Sequence, residues 1–206
     1  MIALNKHDWS TISEQLKRNE IVVVDNFFSH DFSKILFDRM IHETKFKDIY
    51  DEYKANNYDL KDMITAKIVS ELNIYDFFKN KFERAWSFIY NNEAKGVPPH
   101  SDPSSVNINV WVTPDESIKD HKKNGLVIYK LKPINGWNRD QWNGNKDNCI
   151  VNLINDKRPE FLTVPYKFNR AIIFDGMFFH ETNNVSVLPG LYNRRVSYTM
   201  LYGKTL

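Results

Sequence analysis

The sequence predicts an antiparallel β-sandwich or jelly roll with helices packed on one of its sheets. Three observations carry that reading. Helical patterning is confined to the part of the chain before about residue 82. Short β-rich runs dominate after it, and those runs are separated by turns rich in Asn, Asp, Gly and Pro rather than by the regular helices of an alternating βαβ fold. No internal repeat is visible.

Taken in order, residues 21–28 (IVVVDNFF) form a β-branched run that reads as a strand, and Ser29 stands where an N-cap precedes an amphipathic helix reaching about His42. A second helical region covers about Asp59 to Asn80. Met63, Ile64, Ile68 and Leu72, then Tyr75 and Phe78, recur there mostly at spacings of three and four, with Asn73 as a candidate break. The strands that follow are Phe82–Tyr90, Val106–Thr113, Leu126–Leu131, Phe161–Val164, Arg170–Phe174, Met177–Glu181 and Arg194–Tyr202. Residues 114–148 are unusually polar, and only their LVIYKLK portion looks like strand. Most of that segment reads as an insertion at the open end of the barrel, a flap over a site. Within it, Trp137 and Trp142 fit either a small core or a substrate platform. The expected organisation is one domain over 1–206, with a strand and support helices in 1–81 and a β core in 82–206.

Composition narrows the function classes. The 206 residues are 42% hydrophobic and 26% charged, enough core material to exclude a disordered or fibrous chain. A net charge of +2, with no basic run of five or more, gives no footprint for nucleic acid or an anionic membrane. The longest apolar runs, Ile21–Val24 and Ala171–Phe174, fall far short of the ~20 residues of a membrane span, and the start lacks a signal-peptide stretch. Together with a single cysteine, Cys149, this reads as a cytoplasmic protein.

The chemistry concentrates in three places. In Pro98-Pro99-His100-Ser101-Asp102 the prolines disfavour helix, and in extended backbone residues i and i+2 share a face, so His100 and Asp102 can grip one cation. His180, after the Asp175-Gly176 turn, offers a third ligand. Two histidines and one carboxylate leave three adjacent octahedral positions open on a non-haem Fe(II). Zinc also accepts such ligands, but no HExxH occurs, and iron is the better reading. The third place is the strand Arg195-Val196-Ser197-Tyr198-Thr199, which puts Arg195, Ser197 and Thr199 on one face. Arg195 presents a planar fork suited to a carboxylate, with a hydroxyl two residues on. Arg194 points the other way, and the serine at i+2 favours Arg195 as the anchor.

With these residues in this order, the sequence resembles the Fe(II)/2-oxoglutarate-dependent oxygenases, prolyl-hydroxylase-like branch, over about residues 82–203. The resemblance implies a double-stranded β-helix, a cupin-like jelly roll, preceded by support helices. It implies that His100, Asp102 and His180 bind Fe(II), and that Arg195, helped by Ser197, pairs with the distal carboxylate of 2-oxoglutarate. Tyr90, Asn107 and Asn109 are further candidates for co-substrate contacts. The activity implied is hydroxylation of an unactivated C–H of a small metabolite or peptidyl side chain, consuming O2 and releasing succinate and CO2. Asp102 argues against the halogenating branch, whose members generally lack the carboxylate ligand. Ser197 and Leu201 depart from the Arg-X-Asn-X-Thr-X-Arg pattern of nucleic-acid dealkylases, which lowers that reading. The alternative from another class is a non-catalytic jelly-roll module that binds a ligand or structural metal.

Overall fold

The N-terminal third builds a helical buttress, and its caps show why. In the computed structural model, which describes residues 2–204, Asp8 accepts from Thr11 N at 3.0 Å and starts α1 (Trp9–Lys17), which buries Trp9, Ile12 and Leu16. The chain then forms β1 (Val22–Val24) and, after Ser29, α2 (His30–Ile41), which turns Phe32, Leu36, Phe37, Met40 and Ile41 inward. A short hairpin follows, β2 (Asp48–Ile49) with β3 (Tyr53–Tyr58). Asp62 caps α3 (Met63–Leu72) through Thr65 N at 2.7 Å. This helix is shorter than the predicted 59–80, because it ends at the cap residue Asn73 and the chain proceeds through turns to Lys81. No helix among the described residues is long and apolar enough to cross a membrane.

The β portion comprises β4 (Phe82–Tyr90), β5 (Glu93–Ala94), β6 (Ser104–Trp111), β7 (Leu126–Tyr129), β8 (Phe161–Val164), β9 (Ala171–Phe174), β10 (His180–Thr182), β11 (Val185–Ser186) and β12 (Val196–Lys204). A seven-stranded antiparallel sheet has the order β1-β9-β6-β12-β4-β3-β2. Facing it are β10-β7-β8 and the pair β11-β5. The architecture is the expected jelly roll: mainly β, two facing layers, helices on the outer face of the larger one.

Register decides what each face carries. β12 pairs with β4 (Val196 opposite Ile89, Thr199 opposite Trp86) and with β6 (Ser197 opposite Trp111, Thr199 opposite Asn109). Side chains alternate across a strand. Val196, Tyr198, Met200 and Tyr202 therefore join Ala85, Ile89, Ile108 and Val110 in the core under the helices. The intervening residues face the smaller layer, where Tyr90, Trp111, Ile172 and Phe174 pack against Leu126, Ile128, Val164 and Phe178.

The polar segment 114–148 divides by function. Its first part forms a 3-10 turn over Asp115–Ser117 and a bridge from Ile118 to Val187, closing one end of the smaller layer. Its middle is β7. From Leu131 the chain leaves the barrel, makes α4 (Arg139–Trp142), and continues into α5 (Cys149–Lys157), a helix outside the predicted ones although Ile150, Leu153 and Ile154 recur at helical spacing and pack on its buried side. Asn145, Asp147 and Asn148 before it, and Arg158 after it, all take positive φ, so its flanks read as loop.

One ion cluster closes the far side of the sheet, where β1 meets β9. Asp25 accepts from Arg170 Nε at 2.6 Å and Nη2 at 3.1 Å, and from Lys167 Nζ at 2.7 Å. The Arg170 bonds, working against partial burial and joined by Lys167, hold the Asp25 carboxyl at about 2. A folded-state pKa below the unfolded value of about 3.9 means stability that is present above pH ~4 and lost as pH falls through about 2. Asp25→Asn is expected to reduce unfolding free energy by about 1 kcal/mol at pH 7, since the pair is partly exposed. Urea melts across pH 7 to 2 check this: the gap between the two proteins closes between about pH 4 and pH 2.

Candidate metal centre

Two distant stretches of chain are tied together by backbone before any side chain is considered. His100 N donates to His180 O at 3.0 Å and His180 N to His100 O at 2.8 Å, an antiparallel bridge that places the two residues opposite each other. Asp102 N donates to Gly176 O at 2.7 Å, and Ser101 N to Trp142 O at 2.9 Å. Asn143 Nδ2 returns a bond to Ser101 O at 3.1 Å. Close approach at Gly176 has a steric reason: a Cβ there would lie 2.1 Å from Ser104 Oγ and 2.8 Å from Asp102 O, so no larger residue fits without moving the Asp102 turn.

The side chains then converge. Ligand atoms of His100, Asp102 and His180 all lie within 4.8 Å of one another, and His180 Nε2 is 3.5 Å from Asp102 Oδ2. Each histidine uses Nδ1 on a carbonyl two residues earlier, His100 to Pro98 O at 2.8 Å and His180 to Phe178 O at 2.9 Å. That contact fixes the tautomer with the proton on Nδ1 and leaves both Nε2 lone pairs toward the third ligand, the arrangement that orients metal-binding imidazoles. Burial, with the facing His180 and against the pull of Asp102, lowers His100 to about 4, so its imidazole is neutral near pH 7. Burial pushes the Asp102 carboxyl up, but its close contact with His180, and behind it His100 and the Arg84 charge, hold it below the usual range. Asn107 Nδ2 donates to Asp102 Oδ2 at 2.8 Å and fixes its rotamer. The set can hold one divalent cation on one face and leave the opposite positions open.

Farther along the same inner face sits Arg195, 1% exposed. Its Nε donates to Asn124 O at 2.9 Å, and its guanidinium carbon lies 4.8, 5.5 and 5.8 Å from the ring centroids of Tyr90, Trp111 and Tyr166. No carboxylate pairs with it among the described residues, and Nη1 is buried without a partner. Burial disfavours its charge. The Tyr90 hydroxyl lies beside Arg195 and Ser197 and donates to Thr182 Oγ1 at 3.5 Å. Two further buried acceptors without partners, Asn107 Oδ1 and Asn109 Oδ1, line the face between Arg195 and Asp102, where Asn109 Nδ2 donates to Thr199 Oγ1 at 2.8 Å.

Arg195, Ser197 and Tyr90 thus gather on the large sheet at one end of the space between the layers, and His100, Asp102 and His180, carried by the smaller layer and the turn before β6, at the other, with Asn107 and Asn109 between. Arg194 is outside the cage. Trp137 and Trp142 pack with Ile150, Leu153 and Phe179 in a small core of the α4–α5 segment. Sequence reasoning missed Asn124, Trp111, Tyr166 and Thr113. Thr113 Oγ1 accepts from Val196 N and donates to Arg194 O, both at 2.8 Å, pinning the chain on either side of Arg195. None of these four stands near Arg195 in sequence: Trp111 and Thr113 reach it through the β6–β12 pairing, and Asn124 and Tyr166 from the loops beside β7 and β8.

No protein-family model and no curated protein matches this sequence. Solved structures do match in fold. The epimerase SnoN from nogalamycin biosynthesis, a non-haem, α-ketoglutarate-dependent enzyme, has a structure in complex with Fe3+, α-ketoglutarate and nogalamycin RO. That structure is 11% identical, covering 95% of this chain and 83% of its own, with a TM-score of 0.68. HygX from Streptomyces hygroscopicus, with nickel, 2-oxoglutarate and hygromycin B bound, is 8% identical over 98% and 87% of the two chains, with a TM-score of 0.62. A Pseudomonas putida prolyl-4-hydroxylase is 14% identical over 100% and 99%, with a TM-score of 0.57. The fold of this chain is the fold of these enzymes.

Co(II) titration followed by its visible spectrum measures the centre directly. The expected result is one ion per chain, abolished by His180→Ala. Asn107→Ala is expected to weaken binding roughly ten- to hundredfold, the usual effect of losing a group that orients a ligand. Gly176→Ala is expected to weaken it at least about tenfold through displacement of Asp102, about 1.4 kcal/mol.

Proposed function

We propose that this chain is an Fe(II)- and 2-oxoglutarate-dependent dioxygenase that hydroxylates an unactivated C–H of a small metabolite or a peptidyl side chain. One observation carries the reading: a buried arginine on the large sheet, without a carboxylate partner among the described residues, faces the same space between the two layers as a cluster of two imidazoles and a carboxylate held by the smaller layer and the turn before β6. A buried cation is expensive unless an anion meets it, and here the chain supplies none. The residues fit the two groups. His100, Asp102 and His180 would hold the iron, and the unpartnered Nη1 of Arg195 would meet the distal carboxylate of 2-oxoglutarate. SnoN and HygX, which bind a metal ion and this co-substrate, share the fold.

Iron with 2-oxoglutarate and O2 supplies the oxidising power: one oxygen atom enters the substrate C–H as hydroxyl, the other enters succinate, and CO2 leaves. The chain's own residues prepare that chemistry. Burial holds the Tyr90 hydroxyl protonated, so it can donate to an anion beside Arg195. Tyr90, Trp111 and Tyr166 exclude water around the guanidinium, and charge pairing in that dry cage is worth more than in solvent. The Asn124 carbonyl accepts the hydrogen bond of Arg195 Nε and leaves Nη1 free to meet another group.

Succinate formation from 2-oxoglutarate, dependent on added Fe(II) and lost in His180→Ala, tests the activity. Its absence with iron bound would favour the non-catalytic binding module. Arg195→Lys keeps the charge and loses the planar fork, so the KM for 2-oxoglutarate is expected to rise on the order of ten- to hundredfold, the worth of a charge-assisted hydrogen bond, with Co(II) affinity unchanged. Arg194→Lys is expected to leave that KM nearly unchanged.

A further inference from the structure

The inner face of the large sheet continues beyond Tyr90 onto β4 and β3, where it becomes aromatic and open. Tyr50, Tyr53, Phe88 and Trp86 follow one another with ring centroids 4.7, 4.6 and 6.4 Å apart. At the end stands Arg84, its guanidinium carbon 5.3 Å from the Trp86 ring centroid. The alternate residues of β4, Ala85, Ser87 and Ile89, are buried under the helices. Tyr53 and Phe88 lean on the inner core, but Trp86 is packed into neither core, and Tyr50 is 51% exposed. Large rings left half open along one strip of a concave face are a surface to which a ligand can add apolar contact.

Cross-strand rows connect this strip to the metal centre. Arg84 lies opposite Leu201, which lies opposite Asn107, the residue that holds Asp102. In the next row Trp86 lies opposite Thr199 and Thr199 opposite Asn109. Two strand spacings amount to roughly 10 Å, the reach of a small organic molecule. The charges of the strip are separated. At the Trp86 end stands Arg84, exposed and in no salt bridge among the described residues, whereas its neighbour Glu83 has Lys204 at 3.9 Å. Asn57, opposite Trp86, adds an exposed amide, and the carboxylate on this face, Asp48, lies opposite Ala55 at the far edge beside Tyr53.

We propose that Trp86, Phe88 and Tyr53 form the platform for the primary substrate, and that this substrate is a ring-bearing organic anion whose acidic group is gripped by Arg84. Its ring system lies along the aromatic strip, and the end held by Arg84 lies on the row that leads to Asp102. The assignment of the strip to a substrate rests on the oxygenase reading; the ligand chemistry rests on the strip alone.

The probe is 2-naphthylacetate against its uncharged analogue 2-naphthylacetamide, each titrated by calorimetry into the full chain, with and without Co(II) and 2-oxoglutarate. The acid is expected to bind at least about tenfold tighter than the amide, an increment typical of a charge-assisted contact. Arg84→Gln is expected to bring the two to equal affinity, and Trp86→Ala to weaken both at least about tenfold, with Co(II) binding retained. If Trp86→Ala also loses Co(II), Arg84→Gln decides alone. Equal binding of acid and amide by the unaltered chain, no binding of either, or an acid preference that survives Arg84→Gln overturns the proposal. Should naphthylacetate binding show the expected dependence while no succinate forms with any substrate, the platform stands and the reaction assignment falls.

Discussion

Strand β12 is bonded along its length to β4 on one side and β6 on the other, and this double pairing is the constraint on which the interior depends. Because side chains alternate, the register that sends Val196, Tyr198 and Met200 under the helices sends Arg195, Ser197 and Thr199 to the facing layer. A slip of one residue would place a guanidinium in the helical core and two large apolar side chains in the polar interior. The register is therefore enforced from both faces at once. Thr113 adds a local lock, since its hydroxyl bonds the chain immediately before and after Arg195.

The interior built on that register is deliberately incomplete. Globular proteins satisfy nearly all buried polar atoms, yet Arg195 Nη1, Trp111 Nε1, Asn107 Oδ1 and Asn109 Oδ1, on the inner face of β6 and β12, lack partners, as do single atoms of Trp9, Ser104, Arg194 and Tyr202 elsewhere. What sets the inner row apart is that its four atoms line one space between the layers. The metal end is treated differently, because there the ligands are already oriented by protein: each imidazole by a carbonyl, the carboxylate by Asn107, and the turn by Gly176 and Trp142. One end of the cleft has its side chains oriented by the chain itself, and the other holds a buried guanidinium with no carboxylate partner among the described residues.

How much of this could be read from the sequence depended on whether the chemistry was local. His100 and Asp102 were legible because the Pro-Pro step imposes extended backbone and the i, i+2 spacing does the rest, and Arg195 with Ser197 was legible by the same period. The strand Phe82–Tyr90 was legible too, in its bounds, but not the roles of its faces. Both sides of FERAWSFIY mix apolar and polar residues, Glu83 and Ser87 on the side that packs under helices and Arg84 on the side that faces the cleft, so alternation gave no sign of which residues lie inward. Strand β3, YKANNY, is polar enough to pass for loop, and α5 hides behind left-handed Asn and Asp residues. Asn124 and Asn169 were out of reach for another reason. Asn169 uses its side chain to pair with both backbone groups of Phe28, at 2.9 and 2.8 Å, a strand-like bond made by an amide across most of the chain.

The strand order carries a consequence for how the molecule comes into being. β1, at residues 22–24, has β9, at residues 171–173, as its one partner among the described residues, and β4 cannot be flanked on its inner side until β12 has been made. A sheet knitted from such remote segments has high contact order, so it forms slowly and its strands remain unpaired during synthesis. The bridge between His100 and His180 also joins remote segments, so the candidate metal centre is among the features that depend on completion of the fold.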